Sequence, residues 1–180
     1  WGMIDAGGAP NYVYVPFKRA QLAGAEKIVS HDYSGAIILR NDGTVWEIGV
    51  DRLYDDWQTP DYSLRQRTEL SNVIDIESCG AICSDGTVYG WCLDQPVLTG
   101  PDLNDLRYHY TTYELFSLTG ASRFAQKDTN LILTTNQQLY EVVHNGDNVT
   151  TGYTAQLVSL SNVTYAASHV SSHMALTGDG

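Results

Sequence analysis

The chain has 180 residues, enough for one domain with a sizeable core, since domains commonly run to about 100–150 residues. Its 43% hydrophobic and 17% charged content belongs to a folded protein and excludes a disordered tail. The formal charge of −11 opposes nucleic-acid and anionic-membrane partners, which are bound through Lys and Arg, and no apolar run approaches the roughly 20 residues of a bilayer span.

In chain order, the first full unit opens with "LAGAEKIVS" from Leu22, a Leu and a small loop leading into an apolar strand. "LRNDGTVWEIG" (Leu39–Gly49) follows and reads as a β-hairpin about Asp42-Gly43. "YDDWQTPDY" (Tyr54–Tyr62) is a loop. The second unit repeats the order: "LSNVIDIES" from Leu70, the turn Asp85-Gly86, then "TVYGWC" (Thr87–Cys92). A longer insertion, "PDLNDLRYHYTTY" (Pro101–Tyr113), separates it from "LTGASRFAQ" at Leu118, the turn Asn136-Gln137 and "QLYEVV" (Gln138–Val143). The fourth unit is "LSNVTYAAS" from Leu160 with "SSHMALTGDG" (Ser171–Gly180), ending in the turn Asp179-Gly180.

Four quasi-copies of a unit near 45 residues are therefore present, with turns spaced by 43, 51 and 43. Asp-Gly between apolar runs is a strong hairpin signal, and the spacing predicts two-residue type I′ turns, whose central residues both take positive φ. Asn136-Gln137 predicts a looser turn. The strands are short, rich in β-branched and aromatic residues, and bounded by Gly, Asn and Asp, while no segment carries a sustained helical period. The fold class predicted is all-β, with about four antiparallel strands per unit, the pattern of β-propeller blades, in a single domain over residues 1–180.

The unit resembles the repeat of the regulator of chromosome condensation family: Leu, small loop, apolar strand, Ser/His-rich bend, Asp-Gly, Thr-Val-aromatic, then Trp-Gly. "LSNVIDIES" with "CSDGTVYGWC" carries the likeness best, and "SSHMALTGDG" is similar to the family's Ser-His-x-Ala-Leu strand and turn. The resemblance implies a propeller that usually closes with seven blades. Trp1-Gly2 holds the repeat position of Trp91-Cys92, whereas Asp179-Gly180 is a turn that precedes such a strand. The expectation is an arc of a longer propeller, with edge-to-edge association of copies as the other solution to its open flanks.

Candidate sites are loops rather than reactive clusters. Propeller loops on one face form the usual binding surface. Tyr54, Trp57 and Tyr62 in one inter-blade loop, and Arg107, Tyr108, Tyr110 and Tyr113 in the insertion, are the binding candidates, because Tyr, Trp and Arg supply contact area at interfaces. Their alternative role is packing onto the blades. Ser30-His31-Asp32 are sequence neighbours that point different ways, and His169 with His173 lack a third ligand, so no catalytic residue, metal or cofactor is expected. Asn148 and Asn162 head N-x-T sequons, candidates for glycosylation in a secretory pathway. Of Cys79, Cys83 and Cys92, a two-residue turn at Asp85-Gly86 sets Cys79 opposite Cys92, where a cross-strand disulfide fits; reduced, buried thiols are the alternative.

The function expected is a non-catalytic module that binds a protein partner or other copies of itself. What the resemblance implies is interaction: relatives include an exchange factor for a small GTPase, a β-lactamase inhibitor and a plant photoreceptor. The acidic, Tyr- and Thr-rich composition suggests an extracellular or virion-surface setting. The alternative is a carbohydrate-binding propeller, with Tyr or Trp stacking on sugar faces.

Overall fold

The computed structural model describes residues 2–4, 13–15, 22–31, 35–48, 52–53, 64–91, 97–99, 107–125, 128–148, 150–169 and 172–179. It is all-β, and the described residues contain no α-helix. Strands β1 (Gly2–Ile4) and β2 (Val13–Val15) pair with each other. Blade one comprises β3 (Ala25–His31), β4 (Gly35–Arg40) and β5 (Val45–Ile48), then, after the short β6 (Arg52–Leu53), its fourth strand β7 (Arg65–Gln66). Blade two is β8 (Val73–Glu77), β9 (Gly80–Cys83) and β10 (Thr87–Gly90), closed by β13 (Tyr113–Ser117) beyond the inserted β11 (Val97–Thr99) and β12 (Arg107–His109). Blade three is β14 (Ala121–Ala125), β15 (Asp128–Thr134), β16 (Leu139–His144) and β17 (Tyr153–Leu157). The last sheet pairs β18 (Val163–His169) with β19 (Ser172–Thr177).

The three full blades are antiparallel meanders, and their faces stack. One apolar cluster joins Ile37, Leu39 and Val45 of blade one to Val73, Ile76 and Ala81 of blade two. A second joins Ile82 and Val88 of blade two to Ala121, Phe124 and Ile132 of blade three, and a third joins Leu131, Leu133 and Leu139 of blade three to Val163 and Ala166 of the last sheet. The second strands β4, β9 and β15 are covered on both faces, so "IIL" (Ile37–Leu39) and "LIL" (Leu131–Leu133) read as continuous apolar runs without alternation. Fully burying each such side chain is worth about 1.5–3 kcal/mol.

Every unit enters its first strand through a left-handed residue: Gly24 (φ 79°), Asn72 (φ 54°), Gly120 (φ 77°) and Asn162 (φ 56°). Gly and Asn tolerate this conformation best, which explains the recurring Leu-x-Gly/Asn. The carbonyl of each accepts a bond from the hairpin turn of its own unit, from Asn41, Ser84, Thr135 and Gly178 N–H, at 2.8–2.9 Å.

The hairpin turns differ from the type I′ expectation. Leu39 pairs with Val45, Arg40 N donates to Thr44 O (3.0 Å), and Gly43 N donates to Arg40 O (2.9 Å), which makes a three-residue loop, Asn41–Asp42–Gly43. Gly43 (φ 76°) and Gly86 (φ 89°) have positive φ, and Asp42 and Asp85 do not. The Asp instead binds the Thr two residues on: Asp42 Oδ1 accepts from Thr44 N (3.0 Å) and Oγ1 (2.6 Å), and Asp85 Oδ1 from Thr87 N (2.9 Å). This is the physical content of Asp-Gly-Thr, a type I turn with a left-handed glycine bulge. Nor is Asn136-Gln137 looser. Gln137 N donates to Thr134 O (3.0 Å), Leu133 pairs with Leu139, and Gln137 takes the left-handed place itself (φ 62°).

The extra loop residue moves the second hairpin by one. Val88 pairs with Ile82 and Gly90 with Gly80, and Trp91 N donates to Cys79 O at 3.0 Å, so Trp91 rather than Cys92 stands opposite Cys79. Cys92 itself lies outside the described residues. Cys83 is buried, with its thiol on Ser71 O at 3.3 Å.

Candidate functional site

The first strands of the four units, β3, β8, β14 and β18, line a common cavity of about 610 Å³. One repeat position, three residues after the left-handed entry residue, contributes a polar side chain to it from every unit, Lys27, Asp75, Arg123 and Tyr165, and Ser30, Glu77 and Ser78 add to this polar wall. Alternation in a strand aims that position toward the following blade. Lys27 Nζ reaches Asp75 Oδ1 at 2.9 Å and Glu77 Oε1 at 3.4 Å. Asp75 Oδ2 in turn accepts the Phe124 amide of blade three at 2.7 Å, and Arg123 donates to Thr164 O of the last sheet. Asp75 thus bridges three blades while 6% exposed, and its charge is balanced by a lysine whose side chain is 33% exposed.

A second polar cluster is enclosed between blades one and two. Arg67 Nε donates to Glu47 Oε2 at 2.8 Å, and its Nη1 reaches Thr112 Oγ1 (2.8 Å), Glu69 Oε1 (3.3 Å) and Tyr110 O (3.3 Å). The guanidinium lies 4.7 Å from the centroid of the Trp91 ring, whose Nε1 donates to Ser78 O at 3.1 Å. Arg67 is chosen over Lys here because a planar fork serves several acceptors and still stacks on an indole. The cluster fixes the entry to β13 against β7.

The sequence-nominated residues distribute as follows. Tyr54, Trp57 and Tyr62 lie outside the described residues. Arg107 and Tyr108 sit in β12, paired with Leu53 and Arg52 of β6 in the three-stranded sheet β11-β12-β6. Tyr110 is half-buried and packs on the blade one–blade two core, which is the packing alternative; Tyr113 is half-buried opposite Gly90 in β13. Asn148 is exposed in the β16–β17 loop, its Oδ1 accepting from Thr150 N (3.0 Å) and Oγ1 (2.9 Å), and Asn162 is exposed at the entry to β18. Among the described residues, no group of three His, Cys, Asp or Glu side chains is placed to hold a metal ion.

Sequence reading missed Lys27, Asp75, Glu77, Arg123, Tyr165 and Arg67. Aligning the repeats on the entry Gly/Asn exposes the first column, since Lys, Asp, Arg and Tyr there interrupt otherwise small or apolar strands. Arg67 carries no such signal, because its partners come from three separate segments.

Matching against models of known protein families and against curated proteins finds no similar family or protein for this chain.

Proposed function

We propose that the chain is a non-catalytic propeller module of the regulator of chromosome condensation type, acting by binding protein, including further copies of itself, in an extracellular or virion-surface assembly. One observation carries the reading: the last sheet presents Tyr165, Met174 and Leu176 at 44%, 72% and 55% exposure, a contiguous apolar face on a two-stranded sheet. Exposed apolar faces of this kind mark interaction surfaces. Light scattering after size exclusion tests it. A mass above the 19.9 kDa of one chain, rising with concentration, supports assembly; a single-chain mass at every concentration and no bound protein partner overturns it.

The second reading is a carbohydrate site in the inner cavity. It is favoured by an exposed Tyr165 ring beside Arg123, Asp75 and Glu77, a mixture of aromatic face and hydroxyl-binding groups in about 610 Å³. Binding on a glycan array that is lost in Tyr165→Ala supports it, and a blank array removes it.

A further inference from the structure

The sequence holds three Asp-Gly pairs, Asp42-Gly43, Asp85-Gly86 and Asp179-Gly180, and a single Asn-Gly pair, Asn145-Gly146. Such pairs share a latent reaction. Glycine has no side chain to shield its amide nitrogen, and that nitrogen can close a five-membered ring on the carbonyl carbon of the preceding side chain, with both reactants already held together by the backbone. Local structure decides whether the ring closes.

In the hairpin turns both reactants are occupied. Gly43 N donates to Arg40 O and Gly86 N to Cys83 O, each at 2.9 Å. The carboxylates are engaged two residues further on, Asp42 Oδ1 with Thr44 N and Oγ1 and Asp85 Oδ1 with Thr87 N. Those bonds hold both carboxyls below their ordinary 3.8, so they stay in the ionised form, a poor electrophile.

Asn145-Gly146 is built differently. It opens the connection between β16 and β17, where Asn145 is exposed, its backbone N donating to Gly152 O at 3.0 Å and its Nδ2 to Thr154 Oγ1 at 3.2 Å. Among the described residues nothing accepts the Gly146 N–H and nothing donates to Asn145 Oδ1. The electrophile is a neutral carboxamide and the nucleophile is an amide with no partner. Packing explains the glycine: a Cβ at position 146 would lie 2.9 Å from Thr151 O and 3.3 Å from Gly152 Cα. The close approach of the two backbones therefore keeps the reactive pair in the chain.

We propose that Asn145 is a site of spontaneous modification, deamidating in the folded chain to aspartate and isoaspartate. The Gly146 nitrogen, losing its proton to hydroxide or buffer base, bonds to Asn145 Cγ; the Cγ–Nδ2 bond breaks, and ammonia leaves. Water then opens the succinimide at either carbonyl, which gives Asp or a main chain that runs through the former side chain. Both products add a negative charge to the formal −11. The isoaspartyl product also lengthens the backbone by a methylene where Gly146 presses on Thr151 and Gly152, so that contact is lost. The ladder beyond it, from His144 opposite Tyr153 to Tyr140 opposite Leu157, keeps its own bonds.

The test holds the native chain and a guanidinium-unfolded sample in the same warm, near-neutral buffer and follows aspartate and isoaspartate at each pair by peptide mapping. Asn145 is expected to convert in the native chain less than about tenfold more slowly than in the unfolded one, whereas Asp42 and Asp85 should form isoaspartate more than about tenfold more slowly when folded. Ion exchange should show an acidic species that grows with time and is missing from Asn145→Gln, whose longer side chain must close a six-membered ring. Native conversion of Asn145 slowed beyond tenfold overturns the proposal, because the hairpin then protects the pair. The same acidic species in Asn145→Gln also overturns it, since another amide is then the source.

Discussion

Asp75 is the point at which the inner strands are tied together, so its substitution has a calculable effect. Asp75→Ala removes the acceptor of the buried Phe124 amide, at 2.7 Å, and the partner of Lys27, at 2.9 Å. An orphaned buried donor costs about 1–3 kcal/mol, and the lysine pair, with one side a third exposed, adds no more than about 1 kcal/mol. The sum is about 3 kcal/mol out of a total stability of about 5–15 kcal/mol. Asp75→Asn keeps an oxygen for the amide and loses only the charge, so about 1 kcal/mol is expected. Urea unfolding followed by tryptophan fluorescence reads the difference. With a slope of about 1–3 kcal/mol per molar urea, the alanine variant should lose about 1–3 M in midpoint and the asparagine variant less than half of that. Equal losses in the two variants would refute the role of the Phe124 bond, and an alanine midpoint within about 0.3 M of wild type, roughly 0.6 kcal/mol, would refute the bridge altogether.

Three further outcomes are expected. Gly86→Ala should cost about 2 kcal/mol or more in the same assay, because φ is +89° and an added Cβ would lie 2.5 Å from Leu118 O, whereas Gln137→Gly, which relieves a left-handed non-glycine residue at φ +62°, should gain about 0.5–1 kcal/mol. Bonds from the Thr44 hydroxyl and amide hold the Asp42 carboxyl below its ordinary 3.8, so its contribution to stability is complete above 3.8 and disappears as pH falls through the lower folded-state value; in Thr44→Val a carbonyl-carbon NMR titration of Asp42 should move back up toward 3.8. Burial, with the Asp85 charge second, pushes the Cys83 thiol above 9.0, so a thiol reagent should label Cys83 at least about tenfold faster in urea than in the native chain, and stability should fall as pH rises past 9.0, where the unfolded thiol ionises first.

The strands and their order were legible because their signals are local: β-branched runs, and Asp-Gly at fixed intervals. The register was not, because Asp-Gly serves both a two-residue turn with two left-handed residues and a three-residue loop with one. What separates them is whether the Asp carboxylate binds the Thr two residues on, as Asp42 and Asp85 do. That one-residue difference moved Trp91 opposite Cys79. The tyrosine loops were only partly readable for a similar reason. Tyr110 packs on the core because Arg67, buried 43 positions earlier, takes its carbonyl, and nothing near Tyr110 in sequence announces that guanidinium. The inner polar column was hidden by its variety, since Lys27, Asp75, Arg123 and Tyr165 share a position and a direction but no chemistry.

The direction of the array is written in the backbone and is therefore independent of that variety. The left-handed turn residue of each blade offers its carbonyl to the next unit: Gly43 O accepts from Val73 N at 3.1 Å, Gly86 O from Leu118 N at 2.9 Å, and Gln137 O from Val163 N at 2.9 Å. These bonds require a φ and not a side chain, which is why Gln137 serves where its counterparts are glycine. Repeat sequences can then drift everywhere except at the entry Gly/Asn, the turn and the apolar faces, and the recognisable motif shrinks to those positions. Each unit donates amides on its back face and presents carbonyls at its front turn, so successive units can add in one sense only.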